Sequence, residues 1–270
     1  MKFGICNEIF QEWDEFERVC DFVKDVGYDG IEIAPFTFAD DIADISAPTR
    51  ADIKRIASEV GLEVIGLHWL LVGPEGLHVT CADEGVRART AAYLADLVQL
   101  CAEIGGTRMI FGSPKQRNVE EGLSYQEAFD NARGVFEPLL PALEENGITF
   151  CMEPLAETET NFCGSAEATV ELIDAIGHPN FQLILDTKAM VDEPLGRPET
   201  IKKYAGYLKH FHANDENLKG PGFGRVNFAP IFEALKAIDY QEYVSVEVFD
   251  FDMGAVGIAG RSFEYMEQFA

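Results

Sequence analysis

Four side chains stand where short apolar runs end: Glu153 in ITFCMEP, Asp186 in FQLILDT, His212 in LKHFHAN and Glu247 in YVSVEVF. An ionisable group that closes an apolar run is expected to be buried or nearly so. Burying three carboxylates and an imidazole together is costly unless a cation offsets their charge. If the fold gathers them, they form an oxygen-rich shell with one nitrogen. Such a shell suits Mn²⁺, Mg²⁺, Co²⁺ or Zn²⁺ without selecting among them. Taken singly, each residue has an ordinary explanation as a helix cap or ion-pair partner. Four on successive runs weaken that explanation, and with 21 Lys and Arg against 47 Asp and Glu, basic partners are few.

Three further features invite a ligand. His68, followed by Trp69, ends the run GLHWLL; it is either a donor aimed at substrate beside a lining indole or a core histidine satisfied by backbone. Lys188 lies two residues after Asp186 and would reach a carboxylate, a phosphate or a sugar hydroxyl if it faces the site, or water if it does not. The loop GPGFGR at 220–225, flanked by Lys219 and Arg225, is a candidate phosphate cradle built from backbone N–H groups, though Gly and Pro also simply build tight loops. His78 and His178 lack a comparable context. His210 alternates with His212, so both should face the same side, with His210 one layer deeper.

The elements that would position these residues alternate along the whole chain. Candidate strands fall at 2–7, 29–34, 63–69, 107–113, 148–154, 181–187, 208–214 and 243–249. Their nearly continuous apolar character is that of parallel strands covered by helices. Helical patterns lie between them. One ends at Gly27, another at Gly61 and a long one over Glu84–Ile104 at Gly105; a fourth runs from Tyr125 to Asn146, and a fifth is capped by Ser165. A sixth occupies NFAPIFEALKAIDY, and a weaker one closes the chain. Eight βα units without a linker-like interruption predict a single (β/α)8 barrel, a TIM barrel, over residues 1–270. A doubly wound sheet is the rival, but no Gly-rich first turn supports it. In a barrel, chemistry belongs at the C-terminal strand ends, where the four ionisable residues stand.

A formal charge of −26 opposes phosphate backbones and anionic lipid, so neither nucleic acid nor membrane is an expected partner. No run approaches about 20 apolar residues, and the start, MKFGICNEIFQEWDEF, lacks the apolar core of a signal peptide. The six cysteines have no CxxC spacing and are expected to be reduced, buried thiols of a cytoplasmic protein.

The segments MEPLAETETNF, LDTKAM, HFHANDENLKGPGFG and VSVEVFDF, with FGICN and GYDGIEI at the first two strands, give the chain its likeness. Over essentially its full length it resembles the xylose-isomerase-like superfamily of sugar (phosphate) isomerases and epimerases, which includes ketose 3-epimerases, hydroxypyruvate isomerase and inosose dehydratases. The resemblance implies one divalent metal on Glu153, Asp186, His212 and Glu247. It also implies that Glu153 and Glu247 exchange a proton with a small sugar or sugar phosphate through an enediolate. A glutamate six residues after Glu153, here Glu159, would contact substrate. Two departures stand out: the histidine that epimerases carry three residues after the aspartate is Ala189, and their arginine six residues after the strand-seven histidine is Leu218. The alternatives are a dehydratase of an inosose-like polyhydroxy ketone on the same scaffold and a non-catalytic sugar-binding barrel. The relatives it resembles are often dimers or tetramers, so a homo-oligomer is one expectation.

Overall fold

Short runs rich in Ile, Val and Phe become strands because both of their faces are covered, and the amphipathic segments between them supply the cover. A computed structural model describes every residue from Met1 to Ala270. Strands β1 (Lys2–Cys6), β2 (Gly30–Ile33), β3 (Glu63–Leu67), β4 (Arg108–Phe111), β5 (Thr149–Met152), β6 (Phe181–Asp186), β7 (Leu208–Ala213) and β8 (Tyr243–Val246) pair in chain order. All are parallel, and β8 returns to β1 to close the barrel.

Nine helices surround it: α1 (Phe16–Val26), α2 (Ala47–Glu59), α3 (Glu84–Ile104), α4 (Tyr125–Phe136), α5 (Leu140–Asn146), α6 (Ala166–Ile176), α7 (Arg197–Lys203), α8 (Ala229–Ala237) and α9 (Gly254–Glu267). Ser165 caps α6 as its sequence position predicts, its hydroxyl accepting from the Ala168 N–H at 3.2 Å. The single helix expected over 125–146 is instead two, separated by a 3-10 turn at Glu137–Leu139. Pro138 and Pro141 remove the N–H groups that a continuous helix would need there. Helix α7 has no clear sequence signal, being seven residues long and largely polar.

Two apolar layers result. A cluster of 65 buried residues fills the space between sheet and helices, while Ile110, Cys151 and Ile184 form a separate small cluster. Each of these three alternates with neighbours in the large cluster, so it faces the barrel interior. That interior is otherwise unusually polar: Glu32, His210, His212 and Ser245 are all fully buried. All six cysteines are buried and none is disulfide-bonded. No helix is long and apolar enough to cross a membrane.

Candidate active site

The C-terminal strand ends converge as the barrel requires. Glu153 follows the last residue of β5, Asp186 ends β6, His212 is the penultimate residue of β7, and Glu247 follows β8. All four are buried. Ligand atoms of Glu153, Asp186 and His212 lie within 4.8 Å of one another. Glu247 joins through the histidine, its Oε2 standing 3.1 Å from His212 Nδ1.

Each side chain is held from behind. Glu153 fits because residue 112 is glycine: a Cβ there would lie 2.6 Å from Glu153 Oε2. The fully buried Arg117 donates from Nη1 to the Glu153 carbonyl oxygen at 2.6 Å. Asp186 accepts from the Ala189 N–H at 2.7 Å and from Asn214 Nδ2 at 2.5 Å, and Asn214 Oδ1 in turn receives the Lys188 N–H. His212 meets Glu32 through Nε2, at 3.1 Å to Oε2 and 3.3 Å to Oε1.

The electrostatics are those of crowded anions. Burial and the neighbouring Asp186 and Glu247 push the Glu153 carboxyl well above the usual carboxylate range. Burial, then Glu247, raise Asp186 to about 6. For Glu247, burial acts upward but the His212 imidazole outweighs it, and the net direction is down. Burial would lower His212, yet Glu247 and Glu32 hold it well above the usual imidazole range. The Glu153 carboxylate takes no protein hydrogen bond, and His212 Nδ1 is buried without one. An unpartnered imidazole nitrogen beside three carboxylates is a donor set compatible with a divalent metal ion.

Beside the cluster opens a cavity of about 420 Å³, lined by Glu153, Asp186 and Glu247 together with Trp69, Ser113, Leu155, Glu159, Lys188 and Phe249 among others. Glu159 and Lys188, both expected to face ligand, do line it and pair with each other, Nζ to Oε1 at 2.7 Å. Lys188 Nζ also lies over the Phe249 ring, 4.9 Å from its centre. The second Glu159 oxygen, Trp69 Nε1 and Ser113 Oγ are buried polar atoms without partners. Trp69 and Ser113 both adopt positive φ, at 54° and 41°, strained for residues with a side chain; such strain is commonly concentrated at ligand sites.

His68 and the 220–225 loop have other partners. His68 lines the cavity, but its ring nitrogens point elsewhere: Nε2 meets Glu8 Oε2 at 2.7 Å, and Nδ1, buried, lies 3.9 Å from Glu32 Oε2. It is a core histidine, though held by carboxylates rather than by backbone. The 220–225 loop does not reach the cavity. At its end, Asp215 accepts the N–H groups of Arg225 and Val226 at 3.2 and 3.1 Å. Lys219 is drawn to Asp250 at 3.4 Å. A carboxylate of the chain itself thus takes the N–H groups where this loop ends.

Sequence reasoning missed Glu8, Glu32, Arg117 and Asn214. Glu32, inside the apolar run GIEI, carried the one available signal: a charge on a strand covered on both faces must point into the barrel.

A closed (β/α)8 barrel with Glu, Asp, His and Glu at the ends of its last four strands defines a class, and residues 20–269 match the family model of the xylose isomerase-like TIM barrel. The chain belongs to that family. It is 28% identical over 266 residues to a probable ketose 3-epimerase of Synechocystis, covering 93% of this chain and 85% of that protein. To a D-psicose 3-epimerase of Ruminiclostridium cellulolyticum it is 27% identical over 268 residues, covering 95% and 87%. Among solved structures, an L-ribulose 3-epimerase superposes with a TM-score of 0.86 at 21% identity, over 99% of this chain and 94% of the other, a likeness of fold.

Proposed function

We propose that this protein is a divalent-metal-dependent epimerase or isomerase of a small, unphosphorylated polyhydroxy carbonyl compound. The observation that carries the reading is the buried Glu153–Asp186–His212 cluster, with Glu247 against the histidine, beside the cavity. The names of the relatives support a sugar substrate. Glu153, Asp186, His212 and Glu247 would hold the metal, which when bound polarises a carbonyl and acidifies the neighbouring C–H.

Glu153 and Glu247 are the acid–base pair of this proposal. They enter from β5 and β8, with β6 and β7 between them, and so approach a bound sugar from different sides. One takes the proton from the carbon beside the carbonyl, giving an enediolate, and the other returns a proton to that carbon or to its neighbour. Lys188 and Glu159 hold the non-reacting end: at 2.7 Å they offer a donor and an acceptor at the spacing of adjacent sugar hydroxyls. Because Glu159 neutralises Lys188 and the 220–225 loop lies outside the cavity, a neutral substrate suits the site better than a phosphorylated one.

The test is incubation of the metal-loaded protein with a panel of ketoses, their phosphates and inososes in D₂O. Deuterium should enter the carbon beside the carbonyl without loss of water. Water loss would indicate the dehydratase instead, and absence of any divalent metal binding would overturn the proposal.

A further inference from the structure

Glu32 occupies the middle of an apolar strand, where a hydrophobic residue would be the more stable filling. Its neighbours Ile31 and Ile33 face the helices, which turns Glu32 into the barrel, fully buried. There it meets two imidazoles from β7, three strands away around the barrel. Oε1 lies 2.6 Å from His210 Nε2, and Oε2 lies 3.1 Å from His212 Nε2. The other nitrogen of His212, Nδ1, faces Glu247 and the acidic cluster.

We infer that Glu32 is a positioning residue that fixes both the orientation and the tautomer of His212, so that Nδ1 presents its lone pair to the metal. An ionised carboxylate only accepts hydrogen bonds, and a neutral imidazole carries one N–H. Nε2 is hydrogen-bonded to Glu32, whereas Nδ1, although 3.1 Å from Glu247 Oε2, makes no hydrogen bond, so the one hydrogen of the neutral ring belongs on Nε2 and Nδ1 is left bare. Water cannot take over the task, because neither residue has accessible surface. His210 completes the device. By engaging Oε1 it stops the carboxylate from rotating away, which explains a second buried histidine one layer below the first. Carboxylate support behind a metal-binding histidine raises the basicity of the ligand and holds the ring in place.

This inference rests on the metal-site reading proposed above, and the experiment separates the two. The chain has five histidines, so ring ¹⁵N–¹H correlation spectra of the metal-free protein are tractable, recorded in alkaline solution because Glu247 and Glu32 keep His212 protonated to higher pH than an ordinary imidazole. The wild type should show His212 as the Nε2–H form, and Glu32→Ala should show a mixture or the other tautomer. In Mn²⁺ titrations followed by calorimetry, Glu32→Ala should weaken affinity by about 10- to 100-fold. Glu32→Gln, which keeps one acceptor oxygen but loses the charge and turns the other oxygen into an N–H donor, should fall between. A wild-type His212 carrying its hydrogen on Nδ1 overturns the inference whether or not the variants fold. So does Mn²⁺ affinity in both variants within about twofold of wild type. A wild-type protein that binds no metal removes the metal reading, while the tautomer spectrum still decides whether Glu32 sets the ring.

Discussion

Lys188 Nζ and Glu159 Oε1 stand 2.7 Å apart inside the cavity, on side chains that arise 29 residues from each other in the loops after β6 and β5. Lys188 is half-buried, and its ammonium is raised above the usual range because Glu159 outweighs the effect of burial. Removing either partner strands the other charge in a confined site. Lys188→Met should therefore raise KM for a sugar by about tenfold with a much smaller change in kcat, the mark of lost binding away from the reacting atoms. Steady-state kinetics check this, and an unchanged KM would remove Lys188 from the substrate site.

The two glutamates differ from Lys188 in what their loss should do. Glu153→Gln and Glu247→Gln keep the volume of each side chain but remove its proton-accepting carboxylate. Each variant should lose about 10²- to 10⁴-fold in kcat, measured as solvent deuterium uptake at saturating metal. Chelation of the wild type should abolish exchange, and re-addition of one divalent ion should restore it. A folded, metal-bound variant with full turnover would exclude that residue from proton transfer.

Glycines at two strand ends predict opposite phenotypes. At Gly112 an added methyl would meet the far end of Glu153, 2.6 Å away. Gly112→Ala should therefore leave the melting temperature nearly unchanged while metal affinity and turnover fall. At Gly66 the added Cβ would lie 1.8 Å from the Arg108 carbonyl oxygen, where only backbone movement between β3 and β4 can relieve the overlap. Gly66→Ala should cost about 3 kcal/mol or more of stability. Paired thermal melts and calorimetric titrations distinguish the two.

The Asp215 contacts to Arg225 and Val226 predict a preference against phosphate. Ketose phosphates should show kcat/KM no higher than that of the free ketose, and millimolar inorganic phosphate should not inhibit competitively. Competitive inhibition by phosphate would return the 220–225 loop to the substrate site.

The strands were legible because a parallel, doubly covered strand needs an apolar run, and these runs are interrupted by little else. Their polar endings were legible for the same reason: Glu153 after FCM and Asp186 after LIL stand out because burial makes them expensive. The break after Phe136 was readable from Pro138 and Pro141 but lay inside an otherwise helical pattern. Helix α7 was not readable, since seven residues, largely polar, carry no amphipathic period.

What the sequence determined by itself was therefore the barrel, and which four residues stand at the ends of its last four strands. Both follow from local patterns of apolar and charged residues along the chain. Only the tertiary structure decided which nitrogens and oxygens face one another. His68 turns to Glu8, sixty residues away, and Glu32 reaches His210 and His212 across 178 and 180 residues. Barrel closure brings these groups together, and a buried polar atom bonds to whichever partner closure places beside it. The surplus of acid behind the charge of −26 thus divides in two: most of it is surface, while a few carboxylates are drawn inward and set against imidazoles that no local pattern could have paired with them.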